Sequence, residues 1–174
     1  MVWALPDADR RVRVLPVFFT AVTRLLMFAN ETYTTEQTDG VAAWYPPDPP
    51  PETEAQRNEA GMPDLPGAFG REDYERLRAG IDILDSLHER DMQDPHWFLG
   101  LLGVEPDRQG QGLGSKLIAP ILARADADHL PCYLETEDER NVGFYRRHGF
   151  DVVVEGDLPE GGPRFWTMRR EPRE

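Results

Sequence analysis

Cysteine is nearly absent from this chain, which has one, Cys132, in 174 residues. A single thiol cannot form an intramolecular disulfide, so the sequence predicts a reducing, cytoplasmic location. Positive charge is also scarce: 19 Lys and Arg stand against 32 Asp and Glu, a formal net charge of −13. A nucleic-acid partner requires a basic surface, so the composition argues against one. An acidic surface weakly favours cationic partners such as amines.

Long apolar runs are missing as well. The most apolar stretch, residues 14–29, is interrupted by Pro16, Thr20, Thr23 and Arg24 and is shorter than the roughly 20 residues that span a bilayer. The N-terminus lacks a basic region followed by an apolar run, so the sequence predicts no signal peptide and no membrane partner. The length and the 40% hydrophobic content favour one globular domain.

Residues 97–115 contain the most informative pattern. The apolar run 97–104 predicts a buried strand that ends at a Glu-Pro-Asp turn, and a helix is predicted from about residue 112 to 128. Between them Gly110, Gly112 and Gly114 alternate. The first N–H groups of a helix have no partners there, and glycines allow an oxyanion to approach the backbone closely. The stretch is therefore interpreted as a phosphate cradle, the alternative being an ordinary turn.

The spacing of this loop excludes some phosphate ligands. A P-loop ends in Gly-Lys-Ser/Thr, whereas residues 114–116 read Gly-Ser-Lys. A dinucleotide fingerprint requires glycine at Ser115, so a nicotinamide oxidoreductase is only a distant alternative. The arrangement Gln109-x-x-Gly112-x-Gly114 instead resembles the acyl-CoA pyrophosphate loop of the GNAT N-acetyltransferase family.

A second block supports this resemblance. Residues 141–150, Asn-Val-Gly-Phe-Tyr-Arg-Arg-His-Gly-Phe, are similar to the Asn-x-x-x-Tyr…Gly-Phe signature of the same family. Within the family, residues 97–99, 134–136 and 163–168 resemble the puromycin N-acetyltransferase branch. The resemblance implies a mixed α+β fold with a mostly antiparallel sheet, one parallel splay and flanking helices. It implies a single domain, 1–174, with an acceptor-side half at 1–95 and an acetyl-CoA-binding half at 96–174.

The resemblance also implies an activity and its site. The expected reaction moves an acetyl group from acetyl-CoA, as cosubstrate, to a primary amine of a small molecule, with no metal; a homodimer is left open. The alternative is an acyl-CoA-binding module without catalysis. The residues that the resemblance assigns to the cofactor are Leu102, Gly103, Val104, Arg108, Gln109, Gly110, Gln111, Gly112, Leu113, Gly114, Ser115 and Asn141. A bulge that aims an N–H at the thioester oxygen is expected within residues 101–103.

Two residues are the predicted catalytic groups. Tyr145 follows Asn141 by one helical turn, and its phenol, with a pKa near 10, stays protonated and can donate to a departing thiolate. The competing interpretation of Tyr145 is core packing with Phe144 and Phe150. Glu135, near the end of a predicted strand, is the first candidate base, with His96 second and water as the alternative. Cys132 is expected to be an ordinary buried thiol.

The remaining chain is predicted from periodicity and turn signals. A helix at 7–30 is expected to kink or break at Pro16, and a long connection at 46–71 contains at most a short helix at 54–59. A helix is predicted at 72–92, and its His88 is expected to be a surface residue, the alternative being a base. The other predicted elements are a hairpin at 33–35 and 41–45, a strand at 132–136, a helix at 139–148 and a hairpin at 150–155 and 165–170. Family members ordinarily begin with a further strand and helix, which this chain is expected to lack.

Overall fold

A computed structural model describes residues 1–173. The helices are α1 (Ala8–Met27), α2 (Glu54–Ala60), α3 (Leu65–Phe69), α4 (Arg71–Asp91), α5 (Leu113–Ala127) and α6 (Glu139–Arg147). The strands are β1 (Thr32–Thr34), β2 (Gly40–Tyr45), β3 (Trp97–Val104), β4 (Cys132–Thr136), β5 (Asp151–Asp157) and β6 (Arg164–Arg170). Short 3₁₀ turns lie at Met62–Asp64 and Pro106–Arg108.

The six strands form one sheet in the order β1-β2-β3-β4-β6-β5. Four of its five neighbouring pairs are antiparallel, and β3 with β4 is the one parallel pair. Helix α5 connects these two strands, as a parallel crossover requires. The prediction of a mostly antiparallel sheet with one parallel pair and flanking helices is confirmed.

Each face of the sheet is covered by helices. The larger core lies where α5 and α6 pack on one face, with Trp44, Trp97, Ile118 and Leu134 buried within it. A second core joins α1, α3 and α4 around Val14, Phe69 and Leu77. Alternating strand residues therefore face different helices, which decides the side of the sheet to which each polar side chain points.

Helix α1 is one continuous helix of 20 residues, with Pro16 inside it. Of the two alternatives predicted at Pro16, a kink or a break, the break is wrong. Asp7 caps the helix by accepting a hydrogen bond from the Arg10 N–H. Residues 1–31 contain no strand, so β1 is an edge strand of the sheet in the described chain. The predicted lack of a further strand and helix before the β1–β2 hairpin remains a prediction.

The connection between β2 and β3 contains the two predicted helices, at 54–59 and 72–92, and one short helix between them that was not predicted. It contains α2, α3 and α4, and α2 begins with a capping box between Thr53 and Gln56. The surface position predicted for His88 is wrong. Its ring stacks on Tyr133 with centroids 4.7 Å apart, and its Nε2 lies 2.6 Å from Nε2 of His96. The face of α4 that carries His88 packs on the sheet, so this amphipathic side chain is half-buried.

None of the helices in residues 1–173 is long and apolar enough to cross a membrane.

Candidate active site

The two parallel strands at the centre of the sheet separate partway along their length. β3 pairs with β4 only through Trp97, Phe98 and Leu99. On its other edge β3 stays paired with β2 as far as Val104. Within residues 1–173, the edge of β3 that faces β4 therefore has no partner strand from Gly100 onward. An extended ligand with amide groups can pair with such an edge as an added strand does.

A β-bulge lies at the point of separation. Ala43 opposes Leu101 and the next residue, Trp44, opposes Leu99, so Gly100 is the extra residue of β3. The expected position of the bulge, residues 101–103, is wrong by one residue. A Cβ at Gly100 would lie 2.8 Å from Leu26 Cδ2, so a larger residue would collide with α1. Gly100 is exposed although it lies in a central strand.

The glycine-rich loop joins the end of β3 to α5. Gly110 and Gly112 have φ values of 75° and 79°, in the left-handed region, and nothing lies within 4 Å of a Cβ built on either. Gly112 is the N-cap of α5 and offers no side chain to the first helical N–H groups. Gly114 has a different role, because its Cβ position lies 3.3 Å from Cζ of Phe144. The loop is thus open toward a ligand and closely packed behind it.

A cavity of about 410 Å³ lies between this loop, the free edge of β3 and helix α6. Ten of the twelve residues predicted to bind the cofactor line it: Leu102, Val104, Arg108, Gln109, Gly110, Gly112, Leu113, Gly114, Ser115 and Asn141. The structure does not bring the other two into the cavity. The Cβ direction of Gly103 points toward Val41, and Gln111 Nε2 donates to the Asp107 carbonyl at 3.3 Å.

Two polar side chains hold the loop in place. Arg108 Nε donates to Asp39 Oδ2 at 2.8 Å, which ties the loop to the β1–β2 turn. Gln109 Nε2 donates to the carbonyl of Val104 at 3.0 Å, at the end of β3. Both side chains line the cavity, and each uses one nitrogen in a hydrogen bond within the protein.

Helix α6 supplies the opposite wall. Asp138 caps this helix, which leaves the Asn141 side chain to donate to Thr136 Oγ1 at 3.2 Å. Tyr145 is 6% exposed, packs edge-on against Phe144 and Phe150, and also lines the cavity. Burial raises the pKa of Tyr145 to about 12, so the phenol remains protonated at neutral pH. Tyr145 therefore packs in the core and also lines the cavity, so both interpretations of this residue fit its position.

Glu135 lies on the other face of the sheet. It alternates with Leu134 and Thr136 on β4, so its side chain points away from Tyr145 and toward α4. Its Oε1 is buried and has no hydrogen-bond partner within residues 1–173. Burial, and then the nearby charges of Asp85 and Glu137, raise the pKa of Glu135 to about 7. A carboxyl group with this pKa can accept a proton at neutral pH.

The family model named Acetyltransferase (GNAT) family matches residues 30–150, which include the hairpin, the loop and helix α6. The chain belongs to the GNAT acetyltransferase family. An uncharacterized N-acetyltransferase of Schizosaccharomyces pombe is 42% identical over 66 residues, which are 38% of this chain and 26% of that protein. The chain thus spans about a quarter of the length of this curated relative.

Two further comparisons agree with the family. The L-methionine sulfoximine/L-methionine sulfone acetyltransferase of Pseudomonas aeruginosa is 32% identical over 65 residues, 36% of this chain and 37% of that protein. The crystal structure of a protein described as histone acetyltransferase HPA2 and related acetyltransferase, from Corynebacterium glutamicum, has a TM-score of 0.62 and 20% identity. It matches 100% of this chain and 82% of that one, and it shows the common fold.

Other predictions for the GNAT site have mixed outcomes. His96, the second candidate base, precedes β3 and is six residues from Leu102, roughly 20 Å along a strand. Its Nδ1 lies 2.7 Å from the Asp94 carbonyl oxygen, so it is tied to the wrong end of β3 for this cavity. Cys132 is fully buried, as predicted, and burial raises its pKa to about 12.

Sequence reasoning missed two residues that line the cavity, Phe144 and Arg147. Phe144 was assigned only to packing. Arg147 lies two residues after Tyr145, and its guanidinium lies 6.0 Å from the centre of the Phe144 ring. Basic residues are outnumbered in this chain, so an arginine within the Asn141–Phe150 signature was the signal that could have pointed to Arg147 as a cavity residue.

Proposed function

We propose that this GNAT protein transfers an acetyl group from acetyl-CoA to a primary amine of a small molecule. The observation that carries the proposal is the cavity at the separation of β3 and β4, which brings the glycine-rich loop, Asn141 and Tyr145 around one space. The free edge of β3 suits the amide groups of a pantetheine arm, and the open N-terminus of α5 suits a pyrophosphate.

Acetyl-CoA supplies an activated thioester, and the protein positions it. The N–H groups at the start of α5 would hold the pyrophosphate, with Gly110 and Gly112 leaving room for its oxygens. Leu102 and Val104 would align the pantetheine along β3, and Asn141 would anchor it from α6. Positioning of this kind accounts for a large part of the rate enhancement in acyl transfer.

Two proton transfers remain for the protein. As a neutral amine attacks the carbonyl carbon and the C–S bond breaks, the thiolate that leaves needs a proton, which Tyr145 can donate. The attacking nitrogen must lose a proton, and Glu135 can accept it because its pKa is raised to about 7. The two groups lie on opposite faces of the sheet, so the amine and the thiolate would meet in the gap beside Gly100.

The acceptor would reach this gap from the side of α1 and α4. Leu26 and Tyr45 approach Gly100 there, and Tyr45 stacks on Phe98 with centroids 6.0 Å apart. The carboxylates of Asp85 and Glu137 act on Glu135 from the same side. This surrounding favours a cationic amine over an anionic one. The name of the Pseudomonas relative, an acetyltransferase of L-methionine sulfoximine, supports a small-molecule acceptor. The puromycin N-acetyltransferase branch remains a prediction.

The test is a panel of small primary amines with acetyl-CoA, read as release of free thiol and checked by mass spectrometry of the products. Acetylation of at least one amine is the expected result. Tight binding of CoA in calorimetry without turnover on the whole panel would favour a non-catalytic acyl-CoA-binding module. Binding of NAD in preference to CoA would contradict both.

A further inference from the structure

Ser115 and His148 connect the two walls of the cavity. Ser115 lies in the first turn of α5 and lines the cavity, whereas His148 follows the last residue of α6. Ser115 Oγ lies 2.9 Å from His148 Nε2, a hydrogen-bond distance. Since His148 does not itself line the cavity, any effect it has on a ligand passes through Ser115.

The direction of this hydrogen bond depends on the proton of the imidazole. If Nε2 has no proton, the Ser115 hydroxyl donates to it and only oxygen lone pairs remain for the cavity. These lone pairs repel the oxygens of a phosphate. If Nε2 carries a proton, it donates to Oγ, and the hydroxyl hydrogen is free to point into the cavity. A phosphate oxygen that accepts the hydroxyl hydrogen of Ser115 therefore requires a proton on Nε2.

The groups around His148 favour the neutral ring in the empty site. Partial burial, and then the charges of Arg147, Arg173 and Arg170, lower the pKa of His148. Arg170 Nε also donates to the His148 carbonyl at 3.0 Å, and the Phe144 ring packs against the imidazole at 4.9 Å.

Two further charged groups lie on α5. Asp126 is engaged by Arg170 at 2.7 Å and does not offset all three arginines. Lys116, which follows Ser115, is exposed. An anion that enters the cavity reverses this balance and favours the imidazolium.

We infer that His148 is a positioning residue for the acyl-CoA pyrophosphate, taking up a proton from solvent on binding so that Ser115 can donate its hydroxyl hydrogen to a phosphate oxygen. This inference rests on the proposed use of acetyl-CoA. It makes cofactor affinity dependent on pH: binding is stronger where the imidazolium forms, and it weakens as pH rises through the pKa of His148 in the complex.

The test uses calorimetry with dephospho-coenzyme A. This probe keeps the pyrophosphate and lacks the 3′-phosphate, whose own proton would otherwise titrate in the same range. Titrations near pH 6.5 in two buffers of different ionisation enthalpy give the number of protons taken up. The expected result for the unmodified protein is a net uptake of protons on binding, and the dissociation constant should rise about threefold or more from pH 6 to pH 8.

Three variants separate this effect from general electrostatics. His148→Gln should abolish both the proton uptake and the pH dependence, whereas His129→Gln, which changes an exposed histidine outside the cavity, should retain both. Ser115→Ala should weaken binding at pH 6, and His148→Gln should add little further loss in the Ser115→Ala background, because the two residues act as one unit.

Three results would overturn the inference while leaving the proposed function intact. The first is binding without proton uptake, which would indicate that His148 is neutral with its proton on Nε2. The second is proton uptake that persists in His148→Gln. The third is additive losses of affinity in the double variant. Failure of the unmodified protein to bind either CoA or dephospho-CoA at any pH would instead contradict the proposed function.

Discussion

Arg170 and Asp126 form an ion pair with two hydrogen bonds that joins the last strand of the sheet to helix α5. Nη1 and Nη2 of Arg170 each lie 2.7 Å from one carboxylate oxygen of Asp126. Arg170 is only 2% exposed and also donates to the His148 carbonyl. The backbone N–H of Arg173 also donates to Asp126 Oδ1 at 2.7 Å. These contacts fix the end of α6 and the residues after β6 relative to α5, behind the candidate active site.

Breaking this pair should destabilise the fold. Asp126→Asn leaves the buried guanidinium without its counter-charge, so we expect the free energy of unfolding to fall by about 3 kcal/mol at neutral pH. Urea denaturation is the measurement. The hydrogen bonds from Arg170 lower the pKa of Asp126, so this stabilisation is present above the unfolded-state pKa and is lost as pH falls through the folded-state pKa. The difference between the two proteins should therefore shrink in acid. Asp128→Asn, an exposed change on the same helix end, is the control and should alter stability little.

Gly112 should be required for cofactor affinity beyond its effect on stability. Gly112→Ala places a methyl group where a pyrophosphate would approach, at a φ of 79°. Gly161→Ala has a similar φ of 72° and equally open space but lies outside the cavity. Both should lose about 1 kcal/mol of stability from backbone strain, but only Gly112→Ala should bind CoA more weakly, by about tenfold or more. Equal CoA affinity of the two folded variants in calorimetry would contradict the cradle.

Tyr145→Phe should lower turnover with little effect on cofactor binding. The ring and its packing on Phe144 and Phe150 are kept, and only the hydroxyl is removed. Loss of a general acid typically reduces the rate by about 10²–10⁴-fold. Steady-state kinetics on an accepted amine should show this fall in kcat, with KM for acetyl-CoA within a few-fold of the original. Tyr74→Phe, in the other core, is the matched control. Retention of most of the turnover would assign Tyr145 to packing and leave solvent as the proton source.

Glu135→Gln should remove an acidic limb from the pH profile. A base works only when deprotonated, and kcat/KM reports the pKa of a group in the free protein, so kcat/KM should rise with pH up to about 7, the pKa of Glu135, and level off above it. The Gln variant should have a much lower kcat and no such limb. Glu36→Gln makes the same charge change in the exposed β1–β2 turn and should leave the profile unaltered. If the limb persists in Glu135→Gln, another group or water is the base.

The same substitution should stabilise the protein in alkaline solution. The folded-state pKa of Glu135 is raised to about 7, well above the ordinary value for glutamate. The native state therefore binds this proton more tightly than the unfolded state does, and stability decreases as pH rises from about 4.5 to about 7. Above that range Glu135→Gln should be more stable than the original protein, and the two should be alike near pH 4. Melting curves at both pH values test this, and equal stability at pH 8 would mean that the carboxylate finds a partner in solution.

The cofactor side of the site could be predicted from the sequence because its determinants are local. Gly110, Gly112 and Gly114 lie within five consecutive residues, and the Asn141–Tyr145 spacing is one helical turn. The features that were predicted wrongly depend on how segments distant in sequence pair and pack. The bulge falls at Gly100 because of how β3 pairs with Ala43 and Trp44. His88 is half-buried because α4 folds over Tyr133, and no periodicity distinguishes such a histidine from a surface one.

The acceptor side was less predictable for the same reason. Glu135 was chosen from its place near a strand end, but its raised pKa comes first from burial and then from the charge of Asp85, fifty positions earlier in the chain. Phe144 and Tyr145 are both aromatic residues on an amphipathic helix, and the sequence alone does not show that both reach the cavity.

The connection from β2 to β3 has a consequence for how this protein can diversify. The two strands are direct neighbours, about 4.8 Å apart, yet residues 46–96 and three helices separate them along the chain. The entrance and exit of this segment are adjacent, and Tyr45 stacked on Phe98 closes its base. A different segment can be inserted between the same two points without altering the sheet register or the glycine-rich loop. Evolution and laboratory recombination can thus exchange this segment, and with it the wall proposed to face the acceptor, while the glycine-rich loop is kept.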